Sequence, residues 1–331
     1  MKILIISNGH GEDLVGAKLA EKLSDVLALP LVGEGNAYKC KVLGPRKKLP
    51  GGGFSLRNFS YLWKDLTSGL IGNLFEYYKA LKTTKVDLVI AIGDLIPLLA
   101  AKINGAPFVF IGVNKSDYYK WFGYSYTPWE IWLLKSAKKV FTRDQLTAEN
   151  LRKKGVEAEF VGNPLALESI KYKVLSTKCK TIAFLPGTRD LDIQKNLEDF
   201  EEIKKEINKL DPSVEFLTAT RETFVEVLEK SVVVIGLSGT GNEQAAGMGI
   251  PVVSFPGRGS QYNKKFGEAQ TQLLGKALAF VPERDFAKVA RKALEILNNP
   301  KLAEEMGKIG RERMGGGGAV ERLVREIANE K

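Results

Sequence analysis

The stretch Ile235-Gly-Leu-Ser-Gly-Thr-Gly-Asn-Glu-Gln-Ala-Ala-Gly-Met-Gly-Ile-Pro-Val-Val-Ser-Phe255 carries the reading of the whole chain. It starts in an apolar run, Ser231–Leu237, and passes through a Gly/Ser/Thr loop at 238–241. Small residues with helical spacing follow from about Asn242, and then a second apolar run, Ile250–Phe255. Two apolar runs joined by a helix read as buried parallel strands. The loop offers an anion the backbone N–H groups around Gly239, the hydroxyls of Ser238 and Thr240, and the positive end of a helix dipole. Glu243 lies one turn further in, badly placed for phosphate and well placed for a pair of ribose hydroxyls, with Gln244 beside it. The pattern is that of a nucleotide diphosphate site without a P-loop lysine, its plain alternative being an ordinary Gly-rich turn.

The same alternation extends in both directions. Strand-like runs at Lys2–Ser7, Val26–Val32, Lys41–Leu43, Asp87–Ile92, Pro107–Val113, Lys139–Thr142 and Glu159–Gly162 alternate with helical spacing at 13–23, 70–82, 95–104, 129–137 and 145–154. After Gly162-Asn163-Pro164 the rhythm restarts, with strands at 181–185, 215–219, 232–237, 251–255 and 279–281 and helices at 197–210, 223–230, 242–248, 267–274 and 285–298. The fold class predicted is α/β, two Rossmann-like doubly wound parallel-sheet domains, 1–164 and 165–331, facing across a cleft. Gly315–Gly318 reads as a hinge before a last amphipathic helix, 319–329, which can pack back on the first domain.

Composition narrows the chemistry. The chain of 331 residues is globular, 44% hydrophobic and 27% charged, and long enough for two cores. Met1-Lys2 leads straight into a strand, so a signal peptide is not expected, and the apolar stretch 86–103 is broken by Asp87, Asp94 and Pro97. Two distant cysteines, Cys40 and Cys179, suit the cytoplasm, and the single histidine, His10, argues against a histidine-based metal site. The net charge of +10 is lopsided: residues 1–164 carry +8 of it, and residues 35–64 hold seven basic side chains and no carboxylate. Among these are Arg46, Lys47 and Lys48. Eight of the fifteen residues Tyr118–Trp132 are aromatic, including Trp121 and Trp129. Basic charge beside Trp and Tyr points to an anionic membrane surface. No nucleic-acid motif accompanies it, so nucleic acid ranks behind membrane and behind a simple solvated face.

Several motifs together carry a resemblance. Ser7-Asn-Gly-His-Gly-Glu-Asp13, the Gly162-Asn-Pro-Leu165 junction, Leu185-Pro-Gly-Thr-Arg-Asp190 and Ser238-Gly-Thr…Glu243 look like those of a GT-B glycosyltransferase. More narrowly the chain resembles lipid-A-disaccharide synthase and its divergent relatives, over nearly its whole length. Its first loop departs from the synthase's usual one, which leaves the acceptor and the donor sugar open. The resemblance implies transfer of a sugar from a UDP-sugar, itself a substrate, with no metal or other cofactor. The acceptor implied is a lipid-linked or acylated sugar at the inner face of the cell membrane, with the protein cytoplasmic and peripheral.

Transfer builds negative charge on the leaving diphosphate, which needs fixed donors. Arg189, the amides around Gly187 and Thr188, and the 238–241 loop are the candidates, with Glu243 on the ribose and Gln261 toward the donor sugar. The acceptor hydroxyl needs a base. Asp94, at the end of an apolar strand, and His10, in the first Gly-rich turn, both qualify; Asp94 equally suits a helix cap. A UDP-sugar 2-epimerase-like enzyme and a nucleotide-sugar-binding protein without turnover remain alternatives.

Overall fold

A computed structural model describes residues 1–32, 34–46, 70–118, 124–166, 180–187, 190–259 and 262–330. The chain forms two compact units, Met1–Leu165 with Ala319–Lys331, and Ala166–Gly318.

The first unit is a seven-stranded, all-parallel sheet. Its strands are β1 (Ile3–Ser7), β2 (Val26–Pro30), β3 (Lys41–Val42), β4 (Leu88–Gly93), β5 (Phe108–Gly112), β6 (Lys139–Phe141) and β7 (Ala158–Glu159), in the order β3-β2-β1-β4-β5-β6-β7. Strand alternation splits the apolar residues between two cores. Leu4, Ile6, Val89, Ala91, Phe108 and Phe110 point to one, and Ile3, Ile5, Ile90, Ile92, Val109 and Ile111 to the other. Helices α2 (Leu70–Thr83), α3 (Leu95–Asn104), α4 (Pro128–Leu134) and α5 (Gln145–Lys153) cover the first face through Leu81, Leu98, Ile131 and Leu151. Helix α1 (His10–Lys22) covers the second through Val15 and Leu19.

That second face is completed from the far end of the chain. Helix α12 (Ala319–Asn329) places Val320, Leu323 and Ile327 in the same core as Ile5 and Val15. Their 3–4-residue spacing makes one apolar stripe, and each buried side chain of this size is worth about 1.5–3 kcal/mol. Around the stripe, Lys22 pairs with Glu321 at 2.7 Å and Lys139 with Glu326 at 2.8 Å. Arg322 Nε donates to the Val161 carbonyl at 2.6 Å.

The second unit holds a five-stranded parallel sheet: β8 (Thr181–Leu185), β9 (Glu215–Thr218), β10 (Val233–Gly236), β11 (Val252–Ser254) and β12 (Leu278–Phe280). Their order is β12-β11-β10-β8-β9. Phe184, Ile235 and Phe255 form its core with α6 (Asp190–Leu210) and α10 (Phe286–Leu297). Phe184 and Phe200 lie 4.7 Å apart, and Phe200 and Phe255 meet edge to face. The remaining helices are α7 (Phe224–Glu229), α8 (Gly239–Gly247), α9 (Lys264–Leu274) and α11 (Pro300–Met314).

Three boundaries correct the sequence reading. Helix α8 begins at Gly239, not near Asn242, because Ser238 Oγ accepts from the Gly241 N–H at 3.1 Å and caps the glycine-containing turn. Helix α6 begins at Asp190, seven residues before the expected Leu197, directly after the Gly187–Arg189 loop. Helix α11 was not expected. Its start signals are present in Asn299, which caps the Leu302 N–H, and in Pro300 at the first turn. Gly307 and Gly310 weaken its helical pattern, and they are there because the backbone of Gly249 and of Ala246 leaves no room for a Cβ.

All four tryptophans of the chain, Trp63, Trp121, Trp129 and Trp132, fall in the first unit's sequence, so their fluorescence reports on that unit. Leu323, 1% exposed, should cost about 2–5 kcal/mol when cut to Ala, lowering the urea midpoint seen by tryptophan fluorescence. An unchanged midpoint would mean that α12 adds nothing to the first core.

Candidate functional site

Each sheet reverses its strand order at one place. In the first unit this lies between β1 and β4, in the second between β8 and β10. Successive crossovers there leave on opposite faces, opening a crevice at the strands' carboxyl ends. Among the described candidates, Asp94 lies at the first switch point, and Gly187 and Ser238–Thr240 lie at the second.

In the second unit, Leu185 and Gly236 stand side by side in register, and the Leu237 N–H donates to the Leu185 carbonyl at 2.9 Å. The loops leaving β8 and β10 therefore abut. Gly187 takes φ +88°, and a Cβ built there would lie 3.3 Å from the Leu237 carbonyl oxygen. Ser238 is the N-cap of α8, Gly239 and Thr240 form its first turn, and that turn contains no acidic residue. First-turn N–H groups have no acceptor within a helix, so this terminus suits an anion.

A buried polar network fixes that turn. Asn242 Nδ2 donates to the Gly236 carbonyl (3.3 Å) and to Gln270 Oε1 (2.9 Å), with the Tyr262 hydroxyl 3.1 Å away. Gln270 Nε2 donates to the Gly239 carbonyl at 2.7 Å, and Tyr262 donates to Gln270 at 2.6 Å. Glu243 is 6% exposed, inside this packed region, and Gln244 is half-buried. On the β8 side, Asn196 Nδ2 holds the Pro186 carbonyl at 2.8 Å. Asn196, Tyr262 and Gln270 were not singled out by sequence; their positions inside or between helices give no local signal. Thr188, Arg189 and Gln261 lie outside the described residues.

In the first unit, Asp94 follows β4 and caps α3, accepting from the Ile96 N–H at 3.2 Å. It also accepts from Asn8 Nδ2 at 3.0 Å, joining the ends of β1 and β4. Glu12, in the first turn of α1, is half-buried and accepts from Asn114 Nδ2 at the end of β5. Gly93, at φ +133°, lets these groups close in: a Cβ there would sit 3.1 Å from Asn8 Cβ and 3.4 Å from Glu12 Cγ. Burial raises the Glu12 pKa above the ordinary glutamate value; the Asn114 bond opposes this, and the charges of Asp94 and Asp13 add to it. Beneath lies a second buried chain, Tyr38 hydroxyl to Ser7 Oγ (2.8 Å) and Ser7 Oγ to Asp13 (2.6 Å). His10 opens α1, and its side chain lies outside the described residues. Glu12 was missed, although it stands in the quoted Gly-rich motif, because only the fold shows that it reaches the ends of β4 and β5.

Of the basic and aromatic candidates, Arg46 and Trp129 are described. Arg46 is exposed, with Nε on the Glu34 carbonyl at 3.0 Å. Trp129 is exposed on α4, and Lys47, Lys48 and Trp121 lie outside the described residues. Two aromatic groups were not named as site residues: Phe75 and Tyr78 on α2, and Trp132 on α4, all exposed. Among the described residues, no helix is long and apolar enough to cross a membrane.

No family model matches the chain, and no curated protein matches it in sequence. Solved structures match over its length. The calicheamicin glycosyltransferase CalG4 is 13% identical, covers 100% of this chain and 98% of its own, and superposes with a TM-score of 0.67. MurG of Acinetobacter baumannii is 14% identical over 99% of this chain and 100% of its own, TM-score 0.61. The UDP-GlcNAc 2-epimerase of Neisseria meningitidis, solved bound to UDP-GlcNAc, is 15% identical with the same coverage and a TM-score of 0.61. The chain has the GT-B fold, in two parallel-sheet α/β domains.

Gly187→Ala combines a left-handed backbone with the close Leu237 carbonyl, so it should cost about 1–3 kcal/mol in chemical unfolding. Gly105→Ala, at φ +89° with nothing within 4 Å, should cost less. Equal losses would mean that the two loops do not constrain each other.

Proposed function

We propose that the protein is a metal-independent glycosyltransferase that moves a sugar from a UDP-sugar to a lipid-linked or acylated sugar, in the manner of lipid-A-disaccharide synthase. The observation that carries the donor half is the second unit's switch point. There an acid-free, serine-capped helix terminus meets the Gly187 loop, and Glu243 lies one turn behind. Such a terminus stabilises the diphosphate as it leaves, and Arg189 adds its charge from the same loop. Glu243 accepts from the ribose, and Gln261 is assigned to the donor-sugar hydroxyls. The acceptor's proton is taken in the first unit, at the cluster of Asn8, Glu12, Asp94 and Asn114.

A UDP-sugar 2-epimerase is the second reading. Its support is that the epimerase bound to UDP-GlcNAc superposes as well as MurG does. A glycosyltransferase needs one base and an acceptor, whereas an epimerase needs only the nucleotide sugar. Product analysis after incubation with labelled UDP-sugars and membrane lipid extract separates the two.

The membrane half rests on the first unit's surface. Helices α2, α3 and α4 pack in sequence over one face of the sheet. Phe75, Tyr78, Lys79 and Lys82 share a side of α2, and Trp129 and Trp132 share a side of α4, with Lys135 at its end. The Gly44–Arg46 segment abuts α2: a Cβ on Gly44 would lie 2.8 Å from the Tyr77 ring. Aromatic side chains at headgroup depth and Lys/Arg near an anionic leaflet, about 1 kcal/mol each, suit a peripheral protein on the cytoplasmic face.

UDP at 100 times its dissociation constant should add about 2.7 kcal/mol to folding, read as a thermal shift. Glu243→Ala should shrink that shift. No shift with UDP, ADP or dTDP would remove the nucleotide reading.

The protein should co-sediment with phosphatidylglycerol vesicles, release at high salt, and leave phosphatidylcholine in solution. Both Arg46→Ser/Lys47→Ser/Lys48→Ser and Phe75→Ser/Trp132→Ser should weaken this without changing UDP affinity. Parental vesicle binding in both would move the membrane contact to another part of the protein, and a parent that does not co-sediment would favour a soluble acceptor sugar.

A further inference from the structure

Asp94 stands where the sequence would place a base, yet the structure gives it other work. Its carboxylate holds the Ile96 N–H at the start of α3 and the Asn8 amide at the end of β1. These two bonds fix the carboxylate in place between the two strand ends. Glu12 is differently situated. One oxygen, Oε1, is oriented by Asn114, and the side chain is half-buried against Gly93. The carboxylates acting on it are Asp94 from the β4–α3 turn and Asp13 from its own helix, the latter tied to Ser7. Lys115, next to Asn114, is paired with Glu130.

We infer that Glu12 is the general base for the acceptor hydroxyl and that Asp94 is a positioning residue, which ties the ends of β1 and β4 together beside it. The inference rests on the glycosyl-transfer reading above. In the step, Glu12 takes the hydroxyl proton as the acceptor oxygen bonds to the anomeric carbon. The bond from that carbon to the diphosphate oxygen breaks, and its electron pair leaves with UDP. The two carboxyl groups differ in their partners: Asp94 is held by a backbone N–H and by Asn8, and Glu12 by the Asn114 amide, so one serves as anchor and the other as proton carrier.

The consequence for pH has a definite sign. A carboxyl whose folded pKa is raised contributes stability fully present below its unfolded pKa and lost as pH rises through the folded value. Relative to Glu12→Gln, which does not titrate, the parent should lose stability across that window. As a base, Glu12 must be ionised, so kcat/KM should fall as pH drops through the same window.

The test measures urea unfolding by tryptophan fluorescence and kcat/KM for labelled UDP-sugar transfer, both against pH, in the parent, Glu12→Gln and Asp94→Asn. Asn caps a helix as well as Asp does, so the second variant removes charge and leaves the turn. Expected are a parental acid limb that coincides with the stability loss, and a drop in turnover of about 10²–10⁴-fold with loss of that limb in Glu12→Gln. In Asp94→Asn the limb should move to lower pH. UDP-induced thermal shifts should persist in both, separating turnover from folding and donor binding. A Glu12→Gln enzyme that keeps the limb or full turnover overturns the assignment, as does stability that rises with pH in the parent relative to that variant. A parent that turns over donor with the limb unchanged in Glu12→Gln removes this inference alone. A parent that transfers no sugar removes the glycosyl-transfer reading and this inference with it.

Discussion

A parallel strand must hand its chain to a crossover on one face of the sheet or the other, and where two neighbouring crossovers diverge the strand ends lie uncovered. That constraint places the chemistry of this protein. Between β1 and β4 the uncovered ends gather Asn8, Glu12 and Asp94; between β8 and β10 they gather Gly187 and the first turn of α8. Neither group is contiguous in sequence, and each depends on strand order. With Gly236 in register with Leu185, the two loops of the second unit meet. A one-residue slip would turn the alternating side chains of β10 to the wrong face.

The polar contacts around these crevices share a logic. Buried amides are used where the backbone would otherwise be loose: Asn196 on the Pro186 carbonyl, Asn242 on Gly236, Gln270 on Gly239. Neutral amides fix loops without adding charge, which suits the proposed diphosphate site. In the first unit the charges are carboxylates, and Asn8 and Asn114 supply the opposing donors. The two switch points thus differ in electrostatics, one acid-free at its helix terminus and one built around two acids. They suit anion stabilisation and proton removal respectively.

The architecture was legible because parallel strands buried on both faces must be apolar almost throughout. Ile3–Ser7, Leu88–Gly93 and Val233–Gly236 could hardly be anything else. What was hard to read had local causes. Glycines demanded by a close neighbour hide a helix, as in α11, or a helix start, as in α8. The apolar stripe of α12 was visible and suggested a return to the first unit, whereas the residues it meets there, Ile5 and Val15 among them, appear only on folding. The candidate site divided in the same way. Ser238 and Asp94 follow strands and precede helices, so their places were readable, whereas the pairing of Glu12 with Asn114 spans 102 residues and appears only on folding.

The uneven charge of the chain agrees with the proposed division of labour. The second unit's sequence is nearly balanced, its lysines bound to glutamates along α6 such as Lys204–Glu201 and Lys205–Glu202. Exposed pairs of that kind add little stability, and their effect is to cancel the field over the surface. The excess positive charge stays in the first unit's sequence. On the side of the sheet covered by α2, α3 and α4, Phe75, Tyr78, Trp129 and Trp132 stand in solvent. The proposed membrane contact gives these aromatics a use: with Lys79 and Lys82 on the same side of α2, they would anchor the protein on an anionic layer.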